Sequence, residues 1–177
     1  MEIYSPAEDS WLLEEAILKE NLKGKNCLDM GTGSGIQSRA MMKAGAKKVT
    51  AVDINPEALE RLKTQFVGQN FEAIRSDLFN NVKGKFDFIA FNPPYVPSEG
   101  IKWKDTDGGK KGRAVIDVFI KEFPKVLVGG GVLLLLVSSH NNEKEIIELL
   151  NKKGFVSQII LEKKLFFEKL FVIRSER

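Results

Sequence analysis

The sequence has almost none of the residues from which a metal centre or a disulfide is built. Its 177 residues include one cysteine and one histidine. A single cysteine excludes an intrachain disulfide, and one thiolate with one imidazole is too few for a zinc site. We therefore expect no bound metal, and we expect a cytoplasmic protein, because disulfides are typical of oxidising compartments.

Long apolar runs and a strong excess of one charge are lacking as well. The longest apolar run, Val132 to Val137, is far shorter than the roughly 20 residues that span a bilayer, and nothing at the start resembles a signal peptide. Lys and Arg number 27 against 24 Asp and Glu, so the formal net charge is +3. This balance provides no large basic field for nucleic acid, and we expect no contact with a membrane.

What remains is the composition of one folded domain. Hydrophobic residues make up 43% of the chain, which is enough for a sizeable core. Because no repeat or linker interrupts the sequence, we predict a single domain over residues 1–177.

Strand-like and helix-like segments alternate from Asn26 onward, which predicts an α/β fold: a mostly parallel sheet with helices on both faces. Because Glu162 to Phe167 is too short for a helix, we predict a hairpin over residues 155–174 that adds one antiparallel strand. The seven strands are expected near residues 26–30, 48–53, 71–76, 86–91, 131–138, 155–161 and 169–174. Five helices are expected near residues 6–20, 35–44, 56–67, 113–124 and 142–153.

Local signals refine two helix starts and one loop. Asn55 followed by Pro56 predicts a cap and a first helical residue. Ser5-Pro6-Ala7-Glu8 predicts a capping box at the first helix. The polar, glycine-rich residues 96–113, which include Trp103, are predicted to form a mobile lid.

A glycine-rich turn follows the first predicted strand. Gly31-Thr32-Gly33-Ser34-Gly35 leads into a helix, so Gly31 and Gly33 allow the backbone to approach a nucleotide closely. The dinucleotide fingerprint G-x-G-x-x-G requires glycine or alanine at its last position, and Ile36 stands there. The turn therefore predicts a nucleotide-type ligand other than a dinucleotide.

Acidic residues stand at the ends of three consecutive strands. Asp53 can accept both ribose hydroxyls of a nucleoside. Asp29 would repel a pyrophosphate and attract an ammonium group, which favours S-adenosylmethionine over NAD. Asp77 can accept a hydrogen bond from the adenine amine, and Ile54 and Leu78 can flank the ring. We assign these five residues to the donor site.

The tetrapeptide Asn92-Pro93-Pro94-Tyr95 follows an apolar strand and predicts the acceptor site. The prolines stiffen the loop, so the Asn92 amide oxygen and the Pro93 carbonyl can accept two hydrogen bonds from a planar NH2 group facing a methyl donor. Tyr95 can offer an aromatic face to the acceptor. We assign Asn92, Pro93 and Tyr95 to catalysis, and these three with Pro94 to substrate binding; Asn92 also borders the donor.

With these motifs in place, the chain resembles the class I methyltransferases of the HemK or PrmC type, which methylate the glutamine side chain of the GGQ motif in translation release factors. The resemblance is carried, in the family's order and spacing, by Asp29 to Gly35, Asp53 to Glu57, Ser76 to Leu78 and Phe91 to Pro97. It implies a Rossmann-like fold, S-adenosylmethionine as methyl donor, and protein-glutamine N5-methyltransferase activity.

The opening residues, Tyr4 to Ser10, resemble the short archaeal and eukaryotic branch of this family, which lacks the N-terminal helical domain of bacterial members. The resemblance implies that Ser10 contacts the methionine end of the donor. Members of this branch commonly work with a small zinc-binding activator that pairs beside their sheet. We therefore expect two partners, a release factor as substrate and an activator of this kind.

Other functions remain open from the sequence. Adenine presents a similar conjugated NH2 group, so an adenine-N6 methyltransferase acting on RNA or DNA is the main alternative, although no separate target-recognition domain is evident. A non-catalytic binding module with the same fold is a second alternative, and the intact acids and Asn92 argue against it. A dehydrogenase is disfavoured by Asp29 and by the glycine spacing.

Overall fold

The computed structural model describes residues 3–96 and 112–177, and within them one sheet has the strand order β3-β2-β1-β4-β5-β7-β6. The strands are β1 (Asn26–Met30), β2 (Lys48–Asp53), β3 (Phe71–Arg75), β4 (Phe86–Phe91), β5 (Leu127–Ser138), β6 (Val156–Lys164) and β7 (Lys169–Glu176). The α-helices are α1 (Glu8–Leu18), α2 (Ile36–Lys43), α3 (Pro56–Gln65), α4 (Ala114–Glu122) and α5 (Glu143–Lys152).

β7 is the strand that runs against the others. It pairs antiparallel with β5 and with β6, whereas the pairs β1–β2, β2–β3, β1–β4 and β4–β5 are parallel. The predicted α/β fold, a seven-stranded and mostly parallel sheet with one antiparallel strand, is therefore confirmed.

Helices cover both faces of the sheet, as the alternating pattern predicted. α1 and α2 pack on one face, where Leu13 and Met41 are buried in the same cluster as Phe88 of β4. α4 and α5 cover the other face, where Phe119 and Ile146 are buried. Burial of these side chains on both faces is the main favourable contribution to folding.

The strand order places a crevice at the carboxyl ends of the central strands. After β1 the chain adds β2 and β3 on one side, and it then returns to add β4 and β5 on the other side. Because strands β1 to β5 are parallel, their carboxyl ends lie on the same side of the sheet. The loops after β1 and β4 diverge there. Open α/β sheets bind their ligands at such a switch point.

Two local details differ from the expectations, and a third lies mostly outside the described residues. α1 begins at Glu8 with Ala7 as its N-cap and without a side-chain cap, so the predicted capping box at Ser5 is wrong. β5 begins at Leu127, four residues earlier than predicted. Of the predicted lid, the structure describes Val96 and residues 112–113, and the remainder lies outside the described residues.

The expectation of no membrane contact concerns the helices, because a helix that spans a bilayer has to be long and apolar. Among residues 3–96 and 112–177, no helix is long and apolar enough to cross a membrane.

The cap at α3 agrees with the sequence pattern, because the Asn55 side chain accepts the backbone N–H of Glu57 at 3.0 Å and Pro56 is the first helical residue.

Candidate active site

A pocket of about 230 Å³ opens at the carboxyl ends of β1, β2 and β4. Its walls come from the start of α1 and from the segments that follow β1, β2, β3 and β4. The segments after the strands leave the sheet at the carboxyl ends, and the start of α1 lies beside them. Residues far apart in sequence therefore face a common space. The switch point of the sheet is thus the place where the predicted site residues can meet.

The glycine turn forms the floor of this pocket. Gly31, Gly33 and Gly35 have φ values of 63°, 48° and 76°, a region that side chains other than glycine rarely adopt. A Cβ atom on Gly31 would lie 3.2 Å from the Phe91 ring, and one on Gly35 would lie 2.3 Å from the Leu62 side chain. The backbone conformation therefore favours glycine at all three positions, and close packing adds to this at Gly31 and Gly35.

Asp53 ties the end of β2 to the glycine turn. One carboxylate oxygen, Oδ2, accepts the backbone N–H of Gly33 at 2.8 Å, and Oδ1 accepts the backbone N–H of Asn55 at 2.8 Å. A carboxylate has about four acceptor positions, so these bonds leave capacity on each oxygen. The remaining positions are suited to the two hydroxyls of a ribose.

Asp29 occupies a different position from the one its sequence context suggested. Its side chain is only 1% exposed and is not among the residues that line the pocket. The Oδ2 atom accepts hydrogen bonds from the hydroxyls of Thr32 and Ser38, each at 2.6 Å. Asp29 therefore braces the glycine turn from behind, and its direct contact with a donor ammonium stays a prediction.

Burial dominates the acidity of Asp29. Removal from water raises the pKa of its carboxyl group from 3.8 to about 6, although the hydroxyls of Ser38 and Thr32 act in the opposite direction. The nearby charge of Asp53 adds to the increase. A carboxyl group in this position is close to half protonated near pH 6.

The loops after β2 and β3 line the side of the pocket assigned to adenine. Ile54, Asp77 and Leu78 all border the cavity. Leu78 has φ = 46°, an unusual value for a residue with a branched side chain. The Ser76 hydroxyl accepts the backbone N–H of Asn81 at 2.9 Å, which holds the loop in this shape.

Asn92 presents an unused acceptor atom at the opposite side of the pocket. Its Nδ2 donates to the Oδ2 atom of Asp9 at 3.0 Å. Its Oδ1 is buried and has no hydrogen-bond partner among the described residues. An unpaired buried carbonyl oxygen costs free energy. A ligand that supplies an N–H or O–H donor to this atom would remove that cost.

Asp9 is a site residue that the sequence analysis missed. It is 4% exposed, lines the pocket, and lies at the start of α1. The Tyr4 hydroxyl donates to it at 3.1 Å, and the Tyr95 hydroxyl donates at 3.4 Å. Nothing in the sequence separates Asp9 from its neighbour Glu8, which pairs instead with Lys163 on β6.

The two tyrosines remain donors to Asp9. Burial raises the pKa of both hydroxyls well above their ordinary value, and the charge of Asp9 raises them further. A hydroxyl that keeps its proton can donate to the carboxylate at any physiological pH. Tyr4, Asp9, Asn92 and Tyr95 therefore form one hydrogen-bonded group at the acceptor side of the pocket.

The structure brings eleven of the twelve predicted site residues to one pocket. They are Ser10, Gly31, Gly33, Asp53, Ile54, Asp77, Leu78, Asn92, Pro93, Pro94 and Tyr95. Asp29 lies behind the turn, as described above. Their roles stay predictions, but their placement separates a nucleoside side, with Asp53 and Asp77, from an acceptor side at Asn92.

The residues present fit the predicted donor. Gly31 and Gly33 border the pocket in a backbone conformation that glycine favours, and Asp53 keeps free acceptor positions beside them. Ser10 is buried at the pocket wall, where its carbonyl accepts the side chain of Gln37 at 3.0 Å. No group of three or more His, Cys, Asp or Glu side chains in the described part of the chain could hold a metal ion.

Comparison with known proteins gives consistent matches over nearly the whole chain. The family described as "Methyltransferase small domain" matches residues 8–166. A Methanocaldococcus jannaschii protein, whose name proposes protein N5-glutamine methyltransferase activity, is 44% identical over 99% of this chain and 92% of its own length. Methyltransferase HEMK2 from Mus musculus is 33% identical over 99% of this chain and 90% of its own length.

A solved structure agrees with these sequence matches. In the E. cuniculi Mtq2-Trm112 complex, described as responsible for methylation of the translation termination factor eRF1, one chain is 32% identical to this protein. It superimposes with a TM-score of 0.83, covering 100% of this chain and 99% of that chain. The fold and the sequence therefore point to the same group of proteins.

Proposed function

The chain belongs to the methyltransferase small-domain family, and on this premise we propose that it transfers a methyl group to the side-chain amide of the GGQ glutamine of a translation release factor. Its methyl donor is S-adenosylmethionine. We propose that the whole chain, residues 1–177, acts as one domain in this reaction, and that it works in the cytoplasm, where release factors act.

The observation that carries this proposal is the buried Oδ1 atom of Asn92, which has no partner in the described structure. An amide NH2 group of a substrate glutamine would satisfy it, with the Pro93 carbonyl accepting the second N–H. A glutamine nitrogen is a weak nucleophile because its lone pair is conjugated with the carbonyl group. Hydrogen bonds that hold the NH2 group in place and favour charge on nitrogen make that lone pair more available.

The reaction requires position more than a strong base. When bound, the sulfonium of the donor supplies an electrophilic methyl carbon. The acceptor nitrogen forms its bond to this carbon as the carbon–sulfur bond breaks, and it then loses one proton to water. The residues of this chain hold the nitrogen in line, through Asn92 and Pro93, and Tyr95 borders the same pocket.

A small activator subunit fits the same proposal. The solved complex of Mtq2 contains Trm112 as its partner. In this chain β3 and β6 are the two edges of the sheet, and an edge strand can pair with a strand from another protein. We infer that an activator of this kind pairs beside the sheet and carries zinc itself.

The experiment that tests the proposed function uses methyl-labelled S-adenosylmethionine and a release factor from the same organism. The protein is assayed alone and after co-expression with the candidate activator. Release factor whose GGQ glutamine is replaced by asparagine serves as the control, and total RNA and DNA are separate acceptors. Label on wild-type release factor that is absent from the control supports the proposal.

Two outcomes would contradict it. Label in RNA or DNA, but not in release factor, would assign the NH2 site to adenine. Tight donor binding with no transfer to any acceptor, even with the activator present, would indicate a binding module. Where release factor is labelled, mass spectrometry of the labelled peptide identifies the modified side chain.

A further inference from the structure

The carboxylate of Asp9 collects donors from four residues at the acceptor side of the pocket. Its Oδ1 accepts the backbone N–H of Ser10 at 2.6 Å and the Tyr4 hydroxyl at 3.1 Å. Its Oδ2 accepts Nδ2 of Asn92 at 3.0 Å and the Tyr95 hydroxyl at 3.4 Å. Since every partner donates, the ionised carboxylate is the form that this arrangement satisfies.

The bond to Asp9 determines which way the Asn92 amide points. A carboxylate accepts hydrogen bonds and cannot donate them, so it must face the NH2 group of Asn92 rather than its carbonyl oxygen. The carbonyl oxygen Oδ1 is thereby left as the unpaired acceptor. With the opposite orientation, two oxygens would face each other across about 3 Å, and the pocket would present a donor to the substrate NH2 group.

The same bond also changes the strength of the acceptor. A hydrogen bond from Nδ2 to a buried carboxylate withdraws positive charge from the amide group and increases the negative charge on Oδ1. The acceptor nitrogen becomes more positive during methyl transfer, so an oxygen with more negative charge stabilises the transition state more than the ground state. The charge of Asp9 lies one hydrogen bond behind that oxygen.

We propose that Asp9 is a positioning residue for methyl transfer, which fixes and polarises the Asn92 amide so that Oδ1 receives the N–H of the acceptor. This inference rests on the proposed function in one respect, the NH2 group of the acceptor. It acts through Asn92, and Asp9 itself need not touch the substrate. The start of α1 is thereby part of the acceptor site as well as of the pocket wall.

The first test compares Asp9→Asn and Asp9→Ala with Glu8→Gln. Glu8 is the matched control, because it is the preceding acid on α1 and its carboxylate pairs with Lys163 outside the pocket. With whichever acceptor the wild-type enzyme methylates, Asp9→Asn should lower kcat by about tenfold or more, and Asp9→Ala by more than that. The donor Kd should change by less than about threefold in both, and Glu8→Gln should match the wild type.

A double-mutant cycle with Asn92→Ala tests whether Asp9 acts through Asn92. Asp9→Ala should reduce kcat strongly in the wild-type background and by less than about threefold in the Asn92→Ala background. Independent, multiplying effects on kcat would overturn the proposal, as would an unchanged kcat in Asp9→Asn. Thermal unfolding of each variant distinguishes loss of the fold from loss of the orientation.

A second measurement needs no acceptor and is therefore independent of the proposed function. In protein labelled with 15N-asparagine, the Asn92 side-chain NH2 resonance is identified by its absence from Asn92→Ala. It should shift and exchange faster with solvent in Asp9→Ala, and stay unchanged in Glu8→Gln. An Asn92 resonance that does not change in Asp9→Ala would refute the proposed orientation of the Asn92 amide. A resonance that shifts, in a protein that does not methylate release factor, would refute only the proposed substrate.

Discussion

The carboxylate of Asp53 accepts the backbone N–H of Gly33 at 2.8 Å, and this bond joins the end of β2 to the glycine turn after β1. The second oxygen accepts the N–H of Asn55, so both oxygens hold backbone while keeping positions for a ligand. The residue that would bind the ribose is thus also the one that shapes the turn beneath the donor.

We expect Asp53→Asn to weaken donor binding by about tenfold or more, because an amide has one acceptor oxygen and must give up one of the two backbone bonds. Isothermal titration with S-adenosylmethionine measures the Kd. Asp87→Asn is the matched control, since Asp87 accepts the backbone N–H of Asn26 at 2.8 Å at the amino end of β1. An equal loss of donor affinity in both variants would contradict a direct role for Asp53.

Asn92→Ala should leave the donor Kd within about twofold while lowering kcat on the order of 100-fold, because its oxygen is used by the acceptor nitrogen during transfer. The measurements are donor titration and single-turnover methylation. Asn21→Ala, which removes a surface contact to the N–H of Lys23, is the control and should not alter either quantity. Parallel loss of donor binding and rate would remove Asn92 from the acceptor role.

Asp29 should make the stability of the protein depend on pH. Its folded-state pKa of about 6 lies above the ordinary value of 3.8, so the folded protein binds this proton more tightly than the unfolded chain does. The favourable contribution is complete below about pH 4 and is lost as the pH rises to about 6. The difference corresponds to roughly 3 kcal/mol in the free energy of unfolding.

Urea unfolding of the wild type and of Asp29→Asn between pH 4 and pH 7 measures this effect. The variant has no ionisable group at this position, so its stability relative to the wild type should improve by about 2 to 3 kcal/mol over that range. Other carboxyl groups titrate in both proteins and cancel in the comparison. If the difference in the free energy of unfolding between the two proteins stayed constant with pH, burial would not raise the pKa of Asp29.

Gly112→Ala should destabilise the protein by more than about 3 kcal/mol. Gly112 has φ = 64°, and a Cβ there would lie 2.0 Å from the carbonyl oxygen of Tyr95, which is backbone and cannot rotate away. That carbonyl also accepts Nδ2 of Asn141 at 2.8 Å, so a displaced Tyr95 would disturb the acceptor loop. Denaturant unfolding and single-turnover rates should both report the change.

Gly68→Ala is the control for the backbone conformation alone. Gly68 has φ = 77°, and a Cβ there would meet no atom within 4 Å. This variant should cost about 1 to 2 kcal/mol and leave methylation unaffected. If the two substitutions proved equally costly, the contact with Tyr95 would not be the cause.

The sequence was sufficient for the parts of the structure that depend on local patterns. Alternating apolar segments predicted the strands, and Asn55 with Pro56 predicted the start of α3. The start of α1 could not be predicted in the same way. A capping box at Ser5 was expected, but tertiary bonds from Tyr4 and Asn92 to Asp9 hold this segment, and these depend on the packing of α1 against the sheet.

The candidate site shows the same division. Motifs after the strands predicted the loops that line the pocket, because parallel strands bring their carboxyl ends together. The direction of the Asp29 side chain was not predictable, since it depends on the hydroxyls of Thr32 and Ser38, which the fold brings within 2.6 Å. Asp9 was missed because an acid in the first turn of a helix usually has no partner beyond the helix itself.

The position of β7 between β5 and β6 has a consequence for synthesis of the protein. A growing chain contains β5 and β6 before it contains Lys169, and until then the edge of each strand that pairs with β7 in the folded protein is uncovered. Exposed edges of an apolar strand such as β5 pair readily with other chains. Messages that are broken or frameshifted before residue 169 should therefore yield aggregates rather than shorter active enzymes, because the seven-stranded sheet is complete only after β7 has left the ribosome.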